Sequence, residues 1–206
     1  MNLAHVQAIV KQTQGARIVA ASKYVDADGI LQLRSYGIEN FGENRVDAFL
    51  AKYEALKDQE GIHWHFIGHL QSNKAKLIAD KIECLHSLDS LKTARILNDN
   101  RCRPLDCYVE LHLTPNEAKS GVKEEDLPAF LEGLKQFPNI HVLGFMAMSD
   151  ADMDEEGKRN VFLHAKSIAE QYGYKELSMG MSEDYLIALS CGATTLRLGR
   201  ILFADD

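Results

Sequence analysis

The chain has 206 residues, 46% of them hydrophobic and 26% charged, with a formal net charge of −7 at pH 7. That length suits one α/β domain, and an acidic balance without a basic tail or arginine block argues against nucleic acid or an anionic membrane as the main partner. Residues 1–6 lack the layout of a signal peptide, no apolar run reaches membrane length, and Cys84, Cys102, Cys107 and Cys191 form no CxxC pair, so a reduced, cytoplasmic protein is expected.

A helix is predicted over 2–13, followed by an apolar strand at 17–23. Helix 27–36 then leads to strand 38–42, helix 44–57 to strand 63–68, and helix 71–80 to strand 84–88. Helix 89–100 leads to strand 105–113, helix 124–136 to strand 141–147, helix 154–172 to strand 175–179, and helix 183–190 to strand 194–199. Strands alternating with helices imply a parallel sheet covered by helices, and eight is the number that closes a (β/α)8 barrel of the TIM type. Without a Pro-, Gly- or Ser-rich linker, 1–206 reads as a single α/β domain. The alternative, an open doubly wound sheet, needs a GxGxxG phosphate loop, and none follows the first strand.

Sites in such barrels lie at the carboxyl ends of the strands. Lys23 closes the first apolar run, Ile18-Val19-Ala20-Ala21-Ser22-Lys23. Strand-end lysines mostly reach solvent, but a desolvated one is a nucleophile toward carbonyl groups. In the last strand, period-2 alternation puts Leu196 and Leu198 toward the helices and Thr195, Arg197 and Gly199 toward the barrel axis. An inward arginine needs an acceptor, either a carboxylate of the protein or a ligand atom. Between strand 7 and the next helix, Ser182 is a candidate N-cap with Glu183 and Asp184 in the first turn. The sharper reading is an anion site formed by Ser178, Ser182 and nearby amides, joined by those of Gly199 and Arg200. The histidines His63, His65 and His69 invite a metal reading, but no carboxylate or cysteine completes a ligand set, and no metal is expected. Cys191 reads as a core thiol, and the acidic stretch 150–156 as a solvated loop and helix start.

Motifs along nearly the whole chain carry a resemblance. They are Ala20-Ala21-Ser22-Lys23, Phe41-Gly42-Glu43-Asn44-Arg45-Val46, the run from His65 to Lys74, Ser87-Leu88-Asp89-Ser90, Lys119-Ser120-Gly121-Val122, Gly144-Phe145-Met146-Ala147-Met148, Leu177 to Ser182, and Arg197-Leu198-Gly199. With them the chain resembles the pyridoxal phosphate homeostasis protein family, single-domain relatives of the alanine racemase N-terminal barrel. The resemblance implies pyridoxal 5'-phosphate (PLP) as cofactor, bound as an aldimine to Lys23, with Asn44 against it and Arg197 at the pyridine nitrogen. Ser178, Met179, Ser182, Gly199 and Arg200 would frame the phosphate. An arginine at the ring nitrogen disfavours its protonation and weakens the electron sink used by most such enzymes. Two departures stand out: Arg200 replaces a usual threonine, and His112 stands near a usual asparagine.

The function implied is PLP binding, buffering and transfer within the cell, without robust turnover and with PLP-requiring apoenzymes as partners. The alternative is a PLP-dependent, racemase-like enzyme. Racemisation needs an acid/base on each face of the substrate carbon. Full racemases draw the second from a further domain of a partner subunit, for which 206 residues leave no room, so a monomer is expected. A third reading has Lys23 as an ion-pair partner for another phosphorylated metabolite.

Overall fold

The computed structural model describes residues 2–116 and 120–203. Lys119 of the fifth strand's motif, and Ala204 to Asp206, lie outside the described residues. Eight strands form one closed, wholly parallel barrel: β1 (Arg17–Ala21), β2 (Asn40–Glu43), β3 (His63–Phe66), β4 (Cys84–Leu88), β5 (Leu105–Glu110), β6 (Ile140–Met146), β7 (Glu176–Ser178) and β8 (Thr195–Leu198). Each pairs with the next, and β8 returns to β1 with Val19 opposite Arg197. The intervening helices are α1 (Leu3–Gln12), α2 (Ala27–Ser35), α3 (Val46–Leu56), α4 (Ser72–Ile78), α5 (Leu91–Asp99), α6 (Leu127–Leu134), α7 (Glu155–Gln171) and α8 (Tyr185–Ser190), with a short α9 (Arg200–Phe203) after β8.

Local chemistry explains several boundaries. Asp26 accepts from the Gly29 amide at 3.0 Å, Ser90 from Thr93, and Asp154 from Gly157 at 2.8 Å, so α2, α5 and α7 each begin at an N-cap side chain. Outward-facing strand residues such as Ile18, Ala20, Leu85, Leu196 and Leu198 pack with the inner faces of the helices in one continuous core. This is the expected burial for a sheet covered on its outside.

The barrel interior is different. TIM-type barrels usually fill it with branched aliphatic side chains. Here only Cys84, Tyr108 and Met146 form a small separate apolar cluster, beside buried His65, His86, Ser178, Thr195 and Arg197.

Of the boundaries that differ from the sequence expectation, three bear on the site. β1 stops at Ala21, and Ser22–Tyr24 form a 3-10 turn closed by the Val25 amide on the Ser22 carbonyl at 3.1 Å. Lys23 therefore rides on a turn and is exposed instead of desolvated on a strand. β5 ends at Glu110, because Leu111 makes only an isolated bridge to Val122. Finally, α8 starts after Asp184, so Ser182 lies in the preceding turn and is not its cap.

Gly144 sits where β6 meets β7, and a Cβ there would lie 1.9 Å from the Glu176 carbonyl oxygen. Backbone cannot yield as a side-chain tip can. Gly144→Ala should therefore cost about 3 kcal/mol in urea denaturation, the upper range for an overpacked core site.

Candidate functional site

Two adjoining cavities open at the carboxyl ends of the strands, one of about 970 Å³ and one of about 320 Å³, and Lys23 and Arg197 line both. The larger also meets Ser182, Gly199 and Arg200; the smaller meets Asn44, Ser87 and Glu110.

Lys23 is held by its turn and not by direct partners. The Ser22 hydroxyl donates to Glu43 Oε1 at 2.8 Å, and Lys52 Nζ reaches both that oxygen (2.5 Å) and the Ser22 carbonyl (2.6 Å). The Glu43 side chain is wholly buried, so this pair ties β2 and α3 to the residue beside Lys23. Lys23 Nζ itself stands 5.0 Å from the Tyr24 ring centre, a cation–π approach. Tyr24 in turn lies against Gly199, where a Cβ would come within 2.7 Å of the ring. Gly199 is thus required for turn and strand to meet at the cavity.

Arg197 points inward, as alternation along β8 predicts, and is 4% exposed. Its Nη1 donates to the Ser178 carbonyl (2.8 Å) and hydroxyl (2.7 Å), and its Nη2 to the Ala147 carbonyl (3.3 Å). All these acceptors are neutral protein groups, which the sequence alternatives of a carboxylate or a ligand atom did not include, and among the described residues no carboxylate pairs with it. Burial lowers its pKa to about 10, with Asp184 and Glu110 opposing that from a distance.

The alanine racemase N-terminal domain family matches the chain over residues 1–206. A pyridoxal phosphate homeostasis protein of Aquifex aeolicus is 36% identical over 201 residues, covering 92% of this chain and 87% of that protein. The chain belongs to this family. The homeostasis protein of Pseudomonas aeruginosa is 34% identical, covering 98% of this chain and 93% of its own. Among solved structures, PipY of Synechococcus elongatus without PLP superimposes with a TM-score of 0.91 at 30% identity, covering 98% of this chain and all of that one. The same protein with PLP bound gives 0.89 at 29% identity.

Within this family's barrel, six of the eight residues singled out in the sequence line the cavities, and two do not. Ser178 is wholly buried, its hydroxyl committed to Arg197 and to His86 Nδ1 (2.8 Å). Met179 is in the core and its amide donates to Thr195. Neither side chain is placed to frame a phosphate; Ser178 instead supports Arg197. Ser182 Oγ accepts from the amides of Gly199 (3.2 Å) and Ile201 (3.4 Å), which caps α9. The exposed Arg200 pairs with Glu183, while Asp184 turns inward to accept from Ser149 (2.7 Å) and the Met181 amide (2.6 Å). Both acidic residues also line the larger cavity, so the phosphate reading there has two carboxylates beside it.

Sequence reasoning missed Lys52, His86 and Glu110. Lys52 looks like any helix lysine, and His86 contacts Ser178 across 92 residues. Glu110 is buried at the rim; burial raises its pKa while the Ser120 hydroxyl on Oε1 (3.0 Å) opposes that, and Oε2 has no hydrogen-bond partner among the described residues. The sequence trio of histidines does not assemble: His63 bonds Glu83, and His69 lies 3.6 Å from Asp89. A different trio, His65, Cys84 and His86, brings its ligand atoms within 4.8 Å of one another in the barrel interior.

Lys52→Met should destabilise the fold by about 3 kcal/mol, because it leaves the Glu43 carboxylate buried without its cation. Adding Glu43→Gln should restore most of that loss in a urea-denaturation cycle.

Burial holds His65 near a pKa of about 3 against an ordinary 6.5, and His86 well below it. The unfolded chain then binds protons that the folded chain refuses. Stability should fall as pH drops from about 6.5 toward 3, by up to about 1.4 kcal/mol per pH unit for each ring. Denaturation curves across that window, compared with a His65→Phe variant, measure the slope.

Proposed function

We propose that the chain is a PLP-binding protein that holds and hands over the cofactor, with Lys23 as covalent anchor. The observation that carries this reading is the shared lining of the two cavities by one reachable amine and one buried guanidinium. PLP supplies an aldehyde that condenses with a neutral amine, releasing water, and a pyridine nitrogen that accepts a hydrogen bond. Lys23 offers the amine from a turn fixed by Ser22, Glu43 and Lys52. Arg197, only a donor, suits the ring nitrogen in its unprotonated form. Ser182, Gly199 and Arg200 on the larger cavity supply a hydroxyl, a backbone amide and a cation for the phosphate, and Asn44 flanks the smaller one. The Gly68 backbone presses on Asn44, where a Cβ would lie 2.3 Å from the Asn44 carbonyl oxygen.

A cationic ring-nitrogen partner favours holding over carbanion chemistry, which places carrier above racemase. Among the described residues no helix is long and apolar enough to cross a membrane. A cytoplasmic, monomeric, single-domain protein that passes PLP to apoenzymes completes the proposal.

Borohydride reduction in the presence of PLP should fix the cofactor mass on the peptide containing Lys23, and Lys23→Ala should abolish it. A protein that stays colourless with added PLP would remove the reading. Single-enantiomer amino acids should keep their optical rotation with the loaded protein; sustained loss would make it a racemase.

A further inference from the structure

Arg197, Ser178, His86, His65 and Asn40 form one continuous series of side-chain hydrogen bonds from the cavity to the start of β2. Arg197 Nη1 lies 2.7 Å from Ser178 Oγ, which lies 2.8 Å from His86 Nδ1; His86 Nε2 lies 2.9 Å from His65 Nδ1, and His65 Nε2 lies 3.1 Å from Asn40 Oδ1. The polarity of the series follows from its ends. A guanidinium donates and never accepts, so Ser178 Oγ accepts from it, and the single hydroxyl proton goes to the other partner, His86 Nδ1. That nitrogen carries no proton of its own, so the His86 proton sits on Nε2 and is donated to His65 Nδ1. By the same step His65 keeps its proton on Nε2 and gives it to Asn40 Oδ1, an acceptor only. Ser178, His86 and His65 each donate once, in one direction, and each ring stays neutral.

We infer that this one-way chain fixes Arg197, with His86 and His65 as positioning residues that hold the guanidinium at the cavity without a counter-charge. A carboxylate in the place of Ser178 would fix the guanidinium equally well but would neutralise it. The neutral chain leaves the positive charge directed at whatever group sits against Arg197. Burial, Arg17 and, for His86, Arg197 all disfavour charging either ring, and tilted stacking of His86 on Tyr108 at 4.7 Å between centres fixes the ring plane.

The same two rings, with Cys84, are also the trio of ligand atoms noted above. A metal on His86 Nε2 needs that nitrogen bare and the proton on Nδ1. Ser178 Oγ would then face two donors, Arg197 and His86, and its own proton would lose its only acceptor among the described residues. Chain and metal site are therefore mutually exclusive, and the position of one proton separates them.

Long-range proton–nitrogen NMR of protein labelled with 15N-histidine reads that position directly and needs no cofactor. The expected result is a neutral ring with the proton on Nε2 for both His65 and His86, unchanged between about pH 5 and pH 8, where a free histidine titrates, and unchanged by added Zn2+. A proton on Nδ1 of His86, charging of either ring in that range, or coordinated rings on adding Zn2+ would overturn the inference. The role toward Arg197 rests on the cofactor reading and has its own readout, the 15N shift of the pyridine nitrogen of labelled PLP. In His86→Phe that nitrogen should become easier to protonate and PLP should bind about tenfold more weakly, the scale of one lost charge-assisted contact. His86→Gln, which keeps an acceptor for Ser178, should restore both. An unaltered nitrogen in folded His86→Phe would sink the positioning role. Wild-type protein that takes up no PLP would sink the cofactor reading alone and leave the proton positions to stand or fall on the NMR.

Discussion

A guanidinium turned into the axis of a closed barrel sets the terms for the rest of this molecule. Burying a cation costs several kcal/mol unless every donor finds an acceptor. The strands around Arg197 supply acceptors where such barrels normally place aliphatic layers. β7 contributes the Ser178 hydroxyl and carbonyl, and the end of β6 contributes the Ala147 carbonyl. Ser178 must then dispose of its own proton, which draws His86 of β4 inward, and His86 draws His65 of β3 and Asn40 of β2. Tyr108 follows the same logic, its hydroxyl meeting Thr195 Oγ1 at 3.0 Å. Cys84, Tyr108 and Met146, with Leu143 and Met148 against them, form a small apolar cluster beside these polar groups.

The two functional groups at the mouth are held in opposite ways. Arg197 is immobilised along its whole length and contributes a fixed charge. Lys23 has a fixed base and an exposed tip: its turn is secured by a buried carboxylate–ammonium pair one residue away, while among the described residues its own amine meets the Tyr24 ring. A covalent anchor needs this combination, because the amine must swing between attached and free positions while its backbone stays in register with the cavity. The stabilising pair lies on β2 and α3, outside the cavity lining, and among the described residues the tip forms no ion pair.

Period and run length carried most of the fold. The eight apolar runs match the eight strands, and alternation along β8 placed Arg197 inward, because a strand's two faces follow from sequence order alone. What escaped was whatever depended on a partner distant in the chain. Ser182 reads as a cap for the helix that follows it, yet the Gly199 and Ile201 amides, brought close by barrel closure, claim its hydroxyl. Ser178 reads as a phosphate ligand until His86 is seen behind it. Lys23 reads as the end of a strand, whereas the chain leaves β1 at Ala21 for a turn closed by the Val25 amide and braced by the distant Glu43 and Lys52. Family motifs pointed to residues around the cavities but not to which of them face the opening and which lie behind it.

That division bears on why a site of this kind suits a carrier. At the mouth, the Gly199 and Ile201 amides already rest on Ser182, and the Arg200 side chain rests on Glu183. A group that took these three donors would exchange contacts with the protein's own partners instead of adding new ones. Arg197 is held by the protein whether or not anything meets it. Under the proposed cofactor reading, such a rigid support favours reversible holding, and a charge that disfavours protonation of the ring nitrogen weakens the electron sink on which carbanion chemistry draws.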